Sequence, residues 1–332
     1  MNRRGAAIQG GLAAMGLILA YATWQREPDT AASEVIVVEA GKSDLTRLRF
    51  EEGAKFVELS SDGKQIWIRT SPRTELPKAP ERRVKGSEGA LKFWERFTPL
   101  KAQRALGALA ADKLKEVGLA EPKKKLVVGT RGGDRVFLIG SSPFGVSDPY
   151  VKEEASGQVY VLSPMLLADL ESAGSRFVER QLHDFQPLDF DAVTVEAGGK
   201  KRELVQVAGE TPFLAKLAPK SSPDKPDEQA KNWHDKAWRL IVAEVLGEGE
   251  KPDGGLPKVA LRLDYTHKGK PRGFLEVGSV TPPAPPAVPD GGTPPPPLPE
   301  LYARSEHTAG WVRLAGASEE LLKEAVKIAA TP

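Results

Sequence analysis

Four histidines are the only side chains in this 332-residue chain that titrate near neutral pH without perturbation, and two of them are followed directly by a carboxylate: His183-Asp184 and His234-Asp235. Sequence neighbours point to different sides of a helix, so adjacency alone builds no catalytic dyad. A metal centre needs three or four converging ligands, and the chain has neither an HxH nor an HxxxH spacing. Both pairs therefore read as surface histidines. The glycine-rich stretch 129–134 has no Gly-Lys-Ser/Thr after it and no helix opening behind it, which makes it a hairpin turn and not a phosphate cradle. Gly198-Gly199-Lys200-Lys201-Arg202 reads the same way, as a turn with exposed cations. Ser141-Ser142-Pro143 lacks the strand-to-helix elbow that exposes a serine nucleophile. Asp and Glu are plentiful enough that a facing carboxylate pair for glycoside hydrolysis remains a third-ranked alternative. The expectation is no catalytic residue, no cofactor, no metal and no enzyme.

Composition narrows the partners. With 47 basic and 45 acidic residues the formal charge is +2, and the two signs are interleaved instead of gathered into the basic face that nucleic acid requires. No nucleic-acid partner is expected. The absence of cysteine removes disulfides, thiol catalysis, iron–sulfur ligation and a lipid-modified cysteine. Residues 5–24 carry no charge, and at about 1.5 Å per residue they would span the roughly 30 Å of a bilayer core as a helix. Arg3 and Arg4 precede the run, whereas Arg26 is offset by Glu27 and Asp29, so residues 1–4 stay in the cytoplasm and everything after Trp24 is exported. Ala20-Tyr21-Ala22 also fits a signal-peptidase site; the length of the run favours an uncleaved anchor, followed by a polar tether over 25–33.

Beyond the tether the spacing predicts two related modules, 34–187 and 188–332. The first starts with strands over 34–39, 45–50, 55–59 and 65–69, the last two joined by Asp62-Gly63. Residues 71–86 form a loop. Helices follow over 87–97 and over 100–117, the second with Leu106, Leu109, Ala110 and Leu114 near one face. Gly118-Leu119 and Pro122 end that helix. A hairpin over 125–128 and 135–139 comes next, then a helix capped by Ser163 with Pro164 at its first position, and a last helical piece over 175–182. The second module has a hairpin over 190–197 and 202–207, a third strand over 211–217 and a helix over 228–246 that places Trp238, Ile241, Val242, Val245 and Leu246 together. A hairpin over 258–265 and 272–277 follows.

One stretch recurs. Tyr150 to Leu162 aligns without a gap on Tyr302 to Leu314, 152 residues later (302 − 150), each copy bringing a Tyr-bearing strand, a charged turn and a second strand, with a helix behind it. Where the first copy has a short turn, the second has 281–299 with ten prolines, an extended excursion that cannot join a sheet. Its four consecutive prolines, Pro294, Pro295, Pro296 and Pro297, are the candidate partner-binding residues, because a preformed extended segment loses little entropy on docking. Trp67, Trp94, Trp233, Trp238 and Trp311 sit on periodic elements and read as core before they read as ligand platforms.

The Gly118-Leu119/Pro122 exit, Leu138-Ile139-Gly140, Tyr150-Val151, Val159-Tyr160-Val161 and Arg180 with Leu182-His183-Asp184-Phe185 resemble the pattern of a bacterial family catalogued as domain of unknown function 4340. The resemblance covers roughly 100–207 and, more loosely, the second module. It implies an inner-membrane-anchored envelope protein, often encoded beside components of ABC transporters of the type linked to gliding motility, and it carries no catalytic residues. The fold expectation is thus α+β: two related modules of antiparallel sheet with helices on one face, behind one membrane helix. The functional expectation is a single-pass, non-catalytic periplasmic subunit working with transporter permease or ATPase components; the alternative is a module that holds peptidoglycan or another glycan.

Overall fold

The computed structural model describes residues 34–72, 81–140, 149–207, 216–284, 296–316 and 319–331. The expected cytoplasmic end 1–4, anchor 5–24 and tether 25–33 lie outside them, as do Ser141-Ser142-Pro143, most of the strand expected over 211–217, and Pro294 and Pro295. Among the described residues no helix is long and apolar enough to cross a membrane. They are mostly antiparallel sheet with a few helices, an α+β fold. Contacts divide the chain into two compact units, one from Met1–Leu45 and Arg96–Ala168, the other from Thr46–Glu95 and Asp169–Pro332.

In the first unit, Val35–Val38 pairs antiparallel with Leu100–Ala102. Five further strands follow the order Lys124–Thr130, Gly133–Ile139, Tyr150–Glu153, Gln158–Val161 and Arg104–Ala108, every neighbour antiparallel. Alternation puts Leu126, Val128, Phe137, Val151, Val159 and Val161 into the core. Gly140 has no room for a side chain, since a Cβ there would stand 2.2 Å from the Val117 carbonyl oxygen. The Gly118-Leu119 exit can therefore pack directly on the end of the Gly133–Ile139 strand.

The helix expected over 100–117 is not formed. Leu100–Ala102 and Arg104–Ala108 are strands, and only Ala111–Glu116 is helical, with no buried residue. Leu106 is exposed, so the leucine spacing that suggested a helical face meets no core. Gly107 sits at φ +76°, a left-handed conformation that a helix interior excludes, and the strand that contains it pairs with Gln158–Val161 instead.

In the second unit, Leu45–Glu52, Lys55–Ser61, Ile66–Thr70 and Arg82–Lys85 form an antiparallel meander. A sheet of eight strands has the order Lys216–Pro219, Lys200–Val207, Ala192–Ala197, Lys258–His267, Lys270–Val280, Glu300–Ser305, Val312–Ala315 and Ile241–Val245. The turns at Gly198-Gly199 and Asp62-Gly63 fall where the sequence puts them. The helix Glu228–Trp238 is capped by Asp227, whose carboxylate accepts the Ala230 N–H at 2.9 Å. It packs on the helix Glu319–Ala330, where Trp233 Nε1 donates to the Leu321 carbonyl at 3.0 Å. The latter helix rests on the strands Ala192–Ala197 and Lys200–Val207.

A helix over 228–246 is also corrected: it stops at Trp238, and Ile241–Val245 is an edge strand paired with Val312–Ala315. The β-branched residues Ile241, Val242 and Val245 favour the pleat, and Val242 and Val245 bury there while Ile241 is exposed. Helical structure over 175–182 shrinks to Ala173–Arg176.

Two features recur in the sheets. The register Tyr150↔Val161 and Val151↔Tyr160 reappears as Tyr302↔Arg313 and Ala303↔Val312, each residue displaced by the same 152 positions. The second unit also holds two carboxylates each clasped between two arginines on flanking strands. Glu58 receives Arg49 at 3.2 Å and Arg69 at 3.0 Å; Glu276 receives Arg262 at 2.5 Å and also Arg304. In both triads the three residues lie directly opposite one another in register. Burying a carboxylate is costly unless it is paired, and two charge-assisted bonds meet that cost.

Candidate functional site

The two histidines that precede an aspartate, His183 and His234, are not on the surface. His183 and His234 are 8% and 4% exposed, and both belong to one aromatic cluster of the second unit. The loop after Ala173–Arg176 carries Leu182, His183 and Phe185 inward. The helix Glu228–Trp238 contributes His234 and Trp238 one turn apart, and the strand Lys258–His267 contributes Tyr265. His183 stacks on Trp238 with centroids 4.6 Å apart and planes 16° from parallel. Phe185 and Tyr265 meet the same indole edge-on, at 5.4 and 5.6 Å. Phe190 closes the cluster against Tyr265 at 4.9 Å.

The neighbouring acids, Asp184 and Asp235, are not the histidines' partners; the acid that matters is 123 residues away. His183 Nδ1 lies 3.0 Å from Glu306 Oε1, and Glu306 Oε2 accepts the Phe274 backbone N–H at 2.8 Å. Burial alone would push the Glu306 carboxyl up, but the bonds from His183 and Phe274 outweigh it and hold the group below its ordinary range. An ionised carboxylate only accepts, so Nδ1 of His183 carries the hydrogen in this pair. Gly273 allows the approach: a Cβ there would stand 2.5 Å from Phe185 Cε1 and 2.6 Å from Glu306 Oε2.

The second histidine is held neutral. Burial, with the charge of His183 adding to it, lowers His234 to about 4. Its Nε2 lies 3.2 Å from the Tyr265 hydroxyl. Burial, reinforced by Glu306, raises the Tyr265 phenol far above its usual value, so Tyr265 is the donor and His234 Nε2 the acceptor. His183 Nε2 has a different status: it is buried and has no hydrogen-bond partner among the described residues. His183 is one of the residues around a groove of about 320 Å³, together with Arg180, Gln181, Gln186, Trp238 and Leu240.

The other anticipated positions divide. Pro296 is exposed and Pro297 partly so. Trp94, Trp233 and Trp311 are buried. Trp67 is half-buried, donating to Asp62 at 2.9 Å beneath the Arg83 guanidinium, 3.8 Å from its ring centroid. Among the described residues no group of three or more His, Asp or Glu side chains converges as a metal site. Sequence reasoning missed the His183–Glu306 pair because its halves come from a loop and a strand end far apart in the chain; only the apolar company of His183, between Leu182 and Phe185, signalled burial.

Comparison with family models matches residues 92–253 to a domain of unknown function, DUF4340. No curated protein and no solved structure matches the chain.

Proposed function

Residues 92–253 place this chain in the DUF4340 family, a domain of unknown function, and from that premise we propose a non-catalytic, membrane-anchored envelope protein that serves as an accessory subunit of a transporter or motility complex. The observation that carries the reading is the uncharged run 5–24 behind Arg3 and Arg4, ahead of a β-rich, cysteine-free remainder. In this reading the protein sits in the bacterial inner membrane by a single span, with its amino terminus in the cytoplasm and its bulk in the periplasm. That bulk is two related modules, a view supported by the common register of the Tyr150 and Tyr302 strands and by parallel strand orders. In each, the last strand of the repeat lies between the Tyr strand and an edge strand that precedes the repeat: Arg104–Ala108 in one, Ile241–Val245 in the other. The proline-rich excursion 281–299 is the surface offered to permease or ATPase-associated components.

Affinity purification of the full-length protein from native membranes in mild detergent, with mass spectrometry, tests the proposal. Stoichiometric transporter subunits are expected. Recovery of the protein alone contradicts a stable complex.

A further inference from the structure

We infer that the arm formed by the strand Arg104–Ala108 and the helix Ala111–Glu116 lies on the bilayer surface, with Leu106, Leu109 and Leu114 at the boundary between headgroups and acyl chains. The inference rests on the anchored reading above and adds a second, peripheral contact with the same membrane. Its first ground is burial. From Gln103 to Gly118 no residue is buried, although most of the segment is regular strand and helix. A helix of six residues is marginal in water unless a surface receives its apolar side. The corresponding edge strand of the second unit, Ile241–Val245, does bury Val242 and Val245, so the exposure does not follow from the topology alone.

The chemistry of the arm suits lipid. Ala105 to Ala111 carries neither a charge nor a hydrogen-bonding side chain, and it holds Leu106, which is exposed, and Leu109, which is half-buried. Cations flank the run, Arg104 before it and Lys113 and Lys115 after it. Of the two acids beside them, Asp112 and Glu116, the second is bonded to Lys113 at 2.9 Å. An apolar centre with basic flanks is the pattern of an interfacial segment.

The entry of the chain into the unit favours lipid over other occupants. Val35 stands opposite Ala102, two residues before the arm starts, and the nine residues 25–33 reach at most about 30 Å. The arm therefore begins beside the point where the chain arrives from the bilayer. A strand of another molecule would meet a broken edge. The register against Gln158–Val161 shifts with Leu106 as the extra residue, and Gly107 at φ +76° turns the backbone out of the ladder. Headgroups and interfacial water satisfy the N–H and C=O groups of such an edge without any register.

The test uses the full chain in liposomes of phosphatidylethanolamine and phosphatidylglycerol. The sequence has no cysteine, so Leu106→Cys carries a single environment-sensitive fluorophore. Arg131→Cys, in the exposed turn between Lys124–Thr130 and Gly133–Ile139, is the control on the same unit. Emission from position 106 is expected to shift to the blue and to be quenched by lipids spin-labelled near the headgroup, and emission from position 131 to do neither. Leu109→Glu in the Leu106→Cys chain is expected to lose most of the quenching. A probe shifted to the blue but unquenched is covered by protein, a second copy or another partner, and overturns the inference. Emission typical of water, equal quenching at both positions, or indifference to Leu109→Glu overturns it as well. Release of the chain by alkaline carbonate removes the anchor and the inference together, whereas retention without quenching removes the inference alone.

Discussion

His183 Nδ1 and Glu306 Oε1 are 3.0 Å apart, and that bond ties the loop after Ala173–Arg176 to the end of the Glu300–Ser305 strand. The Ser305 hydroxyl donates to the Leu182 carbonyl beside it, so the two segments are fastened at consecutive positions on each side. Gly273 is the residue that makes room. Gly273→Ala drives a methyl into Phe185 and Glu306, and the expected loss is about 1–3 kcal/mol of stability. Chemical denaturation of the variant, with near-ultraviolet circular dichroism to follow the Trp238 environment, checks this; an unchanged midpoint and spectrum would contradict the packing.

The cluster makes the second unit acid-sensitive. An unfolded His234 takes up a proton near its ordinary value of about 6.5, whereas the folded one does so only near 4, so between those pH values the unfolded state holds more protons. Stability therefore falls as pH drops through that window, by about 3 kcal/mol for this group. Glu306 acts in the same sense: its folded carboxyl is depressed, so its contribution is present above the unfolded value and fades as pH falls through the folded one. Denaturation midpoints at several pH values read the slope, and His234→Gln is expected to flatten it between about pH 6.5 and about pH 4.

The arginine-clasped carboxylates make a matched pair for comparison. Glu58 and Glu276 have side chains only 6% and 8% exposed, while their arginines reach solvent. Glu276→Gln is expected to cost about 1–3 kcal/mol, because Arg262 and Arg304 can rehydrate and only the buried amide is left poorly matched. Glu58→Gln is expected to cost a similar amount, and the fully surface change Glu203→Gln well under about 1 kcal/mol. Equal losses at all three sites would contradict the burial argument.

The proline-rich excursion separates fold from function. The strands Lys270–Val280 and Glu300–Ser305 are direct neighbours, so the ends of 281–299 are already held together by the sheet. Replacing 285–295 with a short Gly-Ser turn changes loop-closure entropy by less than about 1 kcal/mol, and the thermal midpoint is expected to stay nearly constant. Co-purification of partners is expected to fall. Retained partners would remove 281–299 from the interface.

Local signals carried most of the strand pairs. Gly132-Gly133, Gly198-Gly199 and Asp62-Gly63 announce tight turns by their chemistry, and the hairpins stand there. The two helices that ran too long failed for one reason. Apolar residues spaced by three and four, Leu106 to Leu114 and Trp238 to Val245, satisfy a helical template, while the competing partner strands, Gln158–Val161 and Val312–Ala315, lie about 50 to 70 residues onward and leave no trace in a local window. The histidines were hidden in the same way. Asp184 and Asp235 were the visible neighbours, but Glu306 and Tyr265, 123 and 31 residues away, are the partners.

The absence of cysteine permits the most direct test of the central claim, that the chain after residue 24 is exported and anchored. Lys200→Cys places a lone thiol at an exposed hairpin turn. Intact cells with a permeabilised outer membrane are treated with a membrane-impermeant maleimide, and membranes are then extracted with alkaline carbonate. The account predicts labelling without lysis and full retention of the labelled chain in the membrane pellet. Labelling only after lysis, or release into the carbonate supernatant, would contradict it.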